Sequence, residues 1–133
     1  MNDCLFCKII NKEIPAQIIH EDEHTLAFLD IRPIRPGHAL VIPKKHVAHF
    51  WDMESDDYHH VMETVHTLSK NIQSTLEPQR TGIFIGGWDV PHTHVHIVPM
   101  HDRDDITSKS VIDGTQTQAT EQELQEMCDT LTQ

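Results

Sequence analysis

The segment Pro91-His92-Thr93-His94-Val95-His96-Ile97-Val98-Pro99 places three imidazoles at alternate positions. Residues two apart share one face of a strand. His92, His94 and His96 are therefore expected to point one way, with roughly 6 to 7 Å between neighbours. Thr93, Val95 and Ile97 then point the other way, into a core. Polar strand faces are usually filled by other residue types. Three buried imidazoles repel when charged, and when neutral each needs hydrogen-bond partners. Such a row suits two chemistries. In one, the rings bind a metal, as His-x-His pairs do on strands. In the other, a neutral ring attacks an electrophile while its neighbours donate hydrogen bonds to growing negative charge. Spacing alone leaves both open.

A second spacing points to metal. Cys4-x-x-Cys7 is half of a zinc site, although a lone pair of this kind also fits two small apolar residues in a helical turn. The third cysteine, Cys128, lies outside the pattern and reads as core. An odd count of three, without an export signal, argues for reduced thiols or a metal site over disulfides. Histidine is abundant, with 12 in the chain. His59 and His60 on a predicted helix, and His20, His24 and His101 near turns, read as surface residues.

The elements that must position these groups follow from patterning. Cys4 to Ile10 reads as a short helical turn, closed by Asn11-Lys12-Glu13 and Pro15. Strands are predicted at Gln17–His20, Thr25–Leu29 and His38–Ile42, separated by Glu21-Asp22-Glu23 and by Asp30 through Gly37 with its two prolines. Short strands joined by short turns favour an antiparallel meander. The clearest helix runs from Ser55, read as its cap, to Leu76, with Asp56 and Asp57 complementing its N-terminal dipole. Tyr58, Val61, Met62, Val65, Leu68, Ile72 and Leu76 build one apolar stripe, and Pro78 ends it. Two more strands are predicted at Thr81–Ile85 and Thr93–Pro99. A polar stretch after His101 leads to an amphipathic segment, Thr120 to Leu131, with Leu124, Met127, Cys128 and Leu131 on one face. The class is α+β: one antiparallel sheet of five strands with one long and one C-terminal helix.

Length and charge narrow the function. The 133 residues fit one domain. Its core covers about 4–100, and a polar loop and C-terminal helix fill 101–133. A chain this size buries roughly two-thirds of its unfolded surface, enough for a core without disulfides. Met1 to Ile10 lacks the apolar core of a signal peptide, and no run approaches the ~20 apolar residues of a membrane span. The chain reads as soluble and cytoplasmic, with no membrane partner. Ten Lys and Arg against 21 Asp and Glu give a formal charge of −11. With no basic stripe, a nucleic acid polymer is excluded as ligand. A small nucleotide held by a few aimed donors is not.

His92-Thr93-His94-Val95-His96-Ile97-Val98 resembles the histidine-triad (HIT) motif, and other segments agree in order and distance. They are Phe6-Cys7-Lys8-Ile9-Ile10 with Glu13-Ile14-Pro15, Leu26-Ala27-Phe28-Leu29-Asp30-Ile31, and Pro36-Gly37-His38-Ala39-Leu40-Val41-Ile42-Pro43-Lys44-Lys45-His46. The similarity is greatest to the Hint-like branch. It implies a HIT-like fold, a homodimer meeting through the Ser55–Leu76 helix and a sheet edge, and a purine nucleotide or nucleotide conjugate as ligand. His94 would attack phosphorus to form a nucleotidyl-imidazole that water then hydrolyses. Substrates would be phosphoramidates, aminoacyl-adenylates or dinucleotides. His96 would contact the phosphoryl oxygens and help the leaving group take a proton, His92 would complete the triad, and His38 would orient it. Phe6, Leu29, Asp30 and Ile31 match the nucleoside pocket, with Asp30 on the ribose. Without the resemblance, Asp30 reads as a turn residue. The resemblance also completes the metal site: zinc on Cys4, Cys7, His46 and His92, with His49 as rival third ligand. Such zinc is structural, and the chemistry requires no cofactor.

The residues themselves support the chemistry. A ring titrating near neutrality supplies a neutral nucleophile and leaves well in the second step. The amides of Gly86 and Gly87 can cradle phosphate oxygens. The chain departs from the family in this loop, which reads Ile85-Gly86-Gly87-Trp88-Asp89-Val90, short and without Asn. Asp89 falls where a hydroxyl would bond the α-phosphate, and a carboxylate there repels phosphate. That departure favours a second reading, a nucleotide-binding or scaffolding module with vestigial catalysis. A third is a zinc hydrolase with all three triad histidines as ligands.

Overall fold

The computed structural model describes residues 3–105, 107 and 109–133. Helix α1 (Leu5–Ile10) precedes strands β1 (Ile18–Glu21), β2 (Thr25–Leu29) and β3 (Ala39–Pro43). Helix α2 (Ser55–Leu76) follows, then β4 (Arg80–Phe84), β5 (Val95–Met100), the short helix α3 (Lys109–Ile112) and α4 (Glu121–Leu131). The five strands form one antiparallel sheet in the order β1-β2-β3-β5-β4. The class read from the sequence is the one observed.

Both faces of the sheet are covered, which is why every residue of β2 and β3 is buried. On one face Ala27, Leu29, Val41, Val95 and Ile97 pack against Val61, Val65, Leu68 and Ile72 of α2 and Cys128 and Leu131 of α4. Each of these larger side chains contributes about 1.5–3 kcal/mol by leaving water. On the other face Leu26, Phe28, Leu40 and Ile42 meet Cys4, Phe6 and Ile9 from the N-terminal turn. The alternation within each strand thus feeds two cores. Cys128 sits in the first core, as expected.

Helix boundaries follow local chemistry. The α2 cap is Glu54, in extended backbone and without a side-chain cap bond, while Ser55 is already helical. The expectation that Ser55 caps the helix is therefore corrected by one residue. Asp56 and Asp57 do occupy the first turn. The helix ends at Glu77, which is left-handed (φ 50°) directly before Pro78. Helix α4 starts at a capping box, in which Thr120 and Glu123 each satisfy the other's backbone N–H.

Two expectations shift. The last strand starts at Val95, so His92, Thr93 and His94 precede the ladder. There the chain leaves the sheet: the Thr93 amide and hydroxyl both donate to the Val47 carbonyl, at 2.7 and 2.9 Å. Thr93 is buried, held by those bonds to the segment after β3. The polar stretch after His101 also contains α3, which sequence patterning did not show.

Candidate functional site

The histidines gather on the α1 face, along β3 and the start of β5. His96 pairs in register with Leu40 on β3 and Phe84 on β4. Phe6 from α1 stands edge-on to His94, with ring centres 5.1 Å apart, and to His92 at 6.0 Å. His94 and His96 lie 5.1 Å apart. The row is partly buried: His92 is 0 % exposed and His94 is 6 % exposed.

Backbone groups settle which nitrogen of each ring carries the proton. A carbonyl can only accept and a peptide N–H can only donate. The Nδ1–H of His94 donates to its neighbour's carbonyl, His92 O, at 2.7 Å, which leaves a lone pair on Nε2 of the neutral ring. The Ile34 N–H donates to His38 Nδ1 at 3.0 Å, so the His38 proton sits on Nε2. That N–H donates to His96 Nδ1 at 2.8 Å, and the neutral His96 ring then carries its proton on Nε2. Asp30 Oδ2 stands 3.6 Å from His38 Nε2, while its Oδ1 accepts the Arg32 amide at 2.8 Å. Asp30 is thus a turn residue and a neighbour of the triad at once.

Burial favours the neutral forms of His96, His38 and His92. It holds His96 down to about 3, with the nearby His38 and His94 rings adding to the effect. Burial also lowers His38, with the Asp30 carboxylate opposing it. His92 is lowered by burial, partly offset by its bond to the Pro43 carbonyl.

Cys4, Cys7, His46 and His92 converge at the other end of the row, with their ligand atoms all within 4.8 Å of one another. The Nε2–H of His92 donates to Pro43 O at 2.8 Å, which leaves the Nδ1 lone pair facing the thiols. Sulfur-to-nitrogen separations are 3.5 Å for Cys4–His92, 3.6 Å for Cys7–His92 and 3.3 Å for Cys7–His46. A tetrahedral zinc with ordinary Zn–S and Zn–N bonds needs edges of roughly 3.5 Å. The donor set therefore fits zinc, with the Pro43 carbonyl orienting one ligand from outside. Burial and the neighbouring Cys4 raise Cys7 above its ordinary thiol value, a penalty that a divalent cation among the ligands reverses. His49 is elsewhere, stacked on Trp51 at 4.6 Å. Among the described residues, the three triad histidines do not form a ligand trio of their own. Asp30, His38 and His96 also cluster, but 2.8 Å between two ring nitrogens is a hydrogen bond, shorter than the edge of a tetrahedral zinc site.

Other expected site residues are placed unequally. Phe6 and Leu29 are buried walls, and Ile31 is 54 % exposed. Gly86, Gly87 and Asp89 all lie on an exposed loop, and Asp89 makes no side-chain hydrogen bond among the described residues. Gly87 needs its glycine for φ +88°, since a Cβ there would meet nothing within 4 Å. Sequence reasoning missed Phe84, whose ring stacks on His96 at 4.3 Å and 10°. Only the β4–β5 register reveals it. Missed too were the groups that set the protons, Ile34 N–H and Pro43 O, because backbone groups leave no mark in side-chain spacing.

The HIT domain model matches residues 11–103. The chain belongs to the HIT family. An uncharacterized HIT-like protein of Methanocaldococcus jannaschii is 44% identical over 105 residues, 76% of this chain and 81% of that one. Adenosine 5′-monophosphoramidase of Saccharomyces cerevisiae is 37% identical over 100 residues, 74% of this chain and 63% of that one. Among solved structures, a zinc-bound histidine-triad protein from Mycobacterium smegmatis has a TM-score of 0.80 at 27% identity, covering 98% of this chain and 91% of that one. The HIT fold expected from the motif is thus the one observed.

Proposed function

We propose that this HIT protein acts on nucleoside 5′-phosphate derivatives, by hydrolysis or transfer, through a nucleotidyl-His94 intermediate. The observation that carries the reading is the pairing of opposite tautomers. His94 offers a lone pair on Nε2, and His96, 5.1 Å away, offers an N–H. The first is what attack on phosphorus requires, and the second is what stabilises charge on the phosphoryl oxygens and the leaving atom. In the first step the N–P bond forms as the bond to the leaving group breaks. In the second, water displaces the imidazole and restores it. His92 completes the triad from the metal side, and His38 orients His96.

Phe6, Leu29, Asp30 and Ile31 would line the nucleoside pocket, with Asp30 on the ribose and a purine as the base. Gly86 and Gly87 would present amides to phosphate, and Asp89 would stand beside them. The yeast relative's phosphoramidase name supports a phosphoramidate as substrate. Aminoacyl-adenylates and dinucleotides share the same electrophile. Zinc on Cys4, Cys7, His46 and His92 would pin α1 to the triad and leave His94 and His96 to the chemistry. We read 1–133 as one domain working as a homodimer. Edge strand β4 supports this, since Ile83, Phe84 and Ile85 lie exposed along or just beyond it. Among the described residues no helix is long and apolar enough to cross a membrane.

Incubation with an adenosine phosphoramidate, followed by mass analysis, tests the proposal. An adenylylated protein is expected, absent in His94→Ala. Turnover that survives this substitution overturns the reading. Asp89 and the open glycine loop favour the second reading, a binding module; tight nucleotide binding with no adduct and no turnover would establish it. Chelation that stops turnover outright, with the fold intact, would instead revive the zinc-hydrolase reading.

A further inference from the structure

The β2–β3 connection, which delivers His38, is tied to the far end of β5 by an ion pair that the chemistry above does not use. Arg35 Nε donates to Asp105 Oδ2 at 2.9 Å, and a second guanidinium nitrogen donates to Asp102 Oδ2 at 3.0 Å. Asp105 is 9 % exposed, and the same oxygen accepts the His101 amide at 2.8 Å. This carboxylate is therefore a fixed post set by the backbone just after β5. The planar Arg fork reaches two carboxylates from one orientation, which holds its backbone more tightly than a single bond would.

What Arg35 holds is the turn around His38. The His38 amide donates to Arg35 O at 3.0 Å, and the Ile34 amide donates to His38 Nδ1 at 3.0 Å. The second bond decides the tautomer. If the Ile34 amide drifts out of reach, Nδ1 loses its only described donor, and the proton can sit on either nitrogen of a neutral ring. With the proton on Nδ1, His38 Nε2 becomes an acceptor, and His96 Nδ1 must turn donor or lose its partner. His96 would then present a lone pair where an N–H is needed. Asp105 lies beyond Arg103, where the HIT domain match ends.

We propose that the Arg35–Asp105 pair is a positioning device that keeps the Ile34 N–H on His38 Nδ1 and thereby the N–H of His96 directed outward. The catalytic consequence rests on His94 and His96 being the reacting pair; the tautomer consequence does not. The competing account is that Pro33, Pro36 and Gly37 shape the turn alone. Gly37 has φ +101°, and a Cβ there would come 2.5 Å from Leu76.

Long-range proton–nitrogen correlation spectra of the full-length protein separate the two accounts, since protonated and bare ring nitrogens resonate apart. Native His38 should carry its proton on Nε2. Asp105→Ala should mix the two His38 tautomers and lower kcat roughly 10-fold, a part of the ~10²–10⁴-fold that acid–base groups contribute, with KM within about two-fold. Arg35→Lys, which keeps the charge but not the fork, should show a smaller change in both. Gln116→Ala removes a different tie to the same loop, from Gln116 Nε2 to Arg32 O, and should change neither. Asp105→Asn, which keeps an acceptor for the His101 amide, gives the same reading if the alanine variant fails to fold. An unchanged His38 spectrum overturns the proposal, as does a mixed spectrum with undiminished kcat. Absence of turnover in the native protein would sink the enzyme reading, while the spectrum would still decide the tautomer.

Discussion

The two ends of the histidine row use the same side chain in opposite ways. At one end His92 gives its Nε2 proton to Pro43 O and turns a lone pair on the thiols of Cys4 and Cys7, where His46 joins it. At the other end the Ile34 amide, His38 and His96 alternate donor and acceptor in a relay of 3.0 and 2.8 Å bonds, with the Asp30 carboxylate 3.6 Å from the shared His38 nitrogen. Converging lone pairs suit a cation, and alternating donors and acceptors suit a proton. His94 stands between them, with a lone pair that neither end consumes. A histidine's role is therefore set by the partner on its other nitrogen, a backbone carbonyl for His92 and His94 and the His38 ring for His96.

The sharpest test of that division is His94→Ala. It should cost at least ~10³-fold in turnover and remove the adduct, while zinc content stays stoichiometric by metal analysis. Loss of zinc in this variant would show that the two ends are not separable. Cys7→Ala makes the reciprocal test. It should abolish zinc binding and lower Tm by roughly 5–10 °C, about 2 kcal/mol, yet keep turnover per folded molecule within a few-fold. A collapse of turnover in a folded, zinc-free variant would join metal and chemistry.

Acid should act chiefly through the relay. His96 is held at about 3 in the folded chain against an ordinary value of 6.5. The unfolded chain thus binds the extra proton between those values, and stability rises with pH across that window. As pH falls from 7 to 5, His96 alone should remove on the order of 1–2 kcal/mol, and His38 shifts in the same direction. Denaturant melts at several pH values check this. A His96→Gln variant whose stability still falls as steeply would remove His96 as the cause. The smallest effect is expected of Phe84→Ala, which strips a stacked ring from His96. It should cost less than about 1.5 kcal/mol and let the His96 nitrogen signals titrate at higher pH than in the native protein. No movement would mean that Phe84 covers the ring without tuning it.

Much of this was legible before any coordinates. The strand Thr25–Leu29 and the helix Ser55–Leu76 were read at their observed limits, because a short run between turn residues and a stripe at steps of three or four are each written in the segment's own residues. The grouping of Cys4, Cys7, His46 and His92 came from the family resemblance and appears in the geometry. The start of the last strand was misread at Thr93, since alternation cannot show that Val47 has captured that residue's amide. Phe84 went unseen because strand β4 meets His96 only through pairing register.

By itself, then, the sequence determined the α+β class, the buried stripes and the presence of a histidine row beside a cysteine pair. All of these depend on local periodicity and residue type. Tertiary structure decided which ring nitrogens keep lone pairs and which keep protons. The His94 proton goes to a carbonyl two residues away. Those of His92 and His96 are set by Pro43 O and by the His38 ring that the Ile34 amide fixes, groups far along the chain that only folding brings within 3 Å of the row.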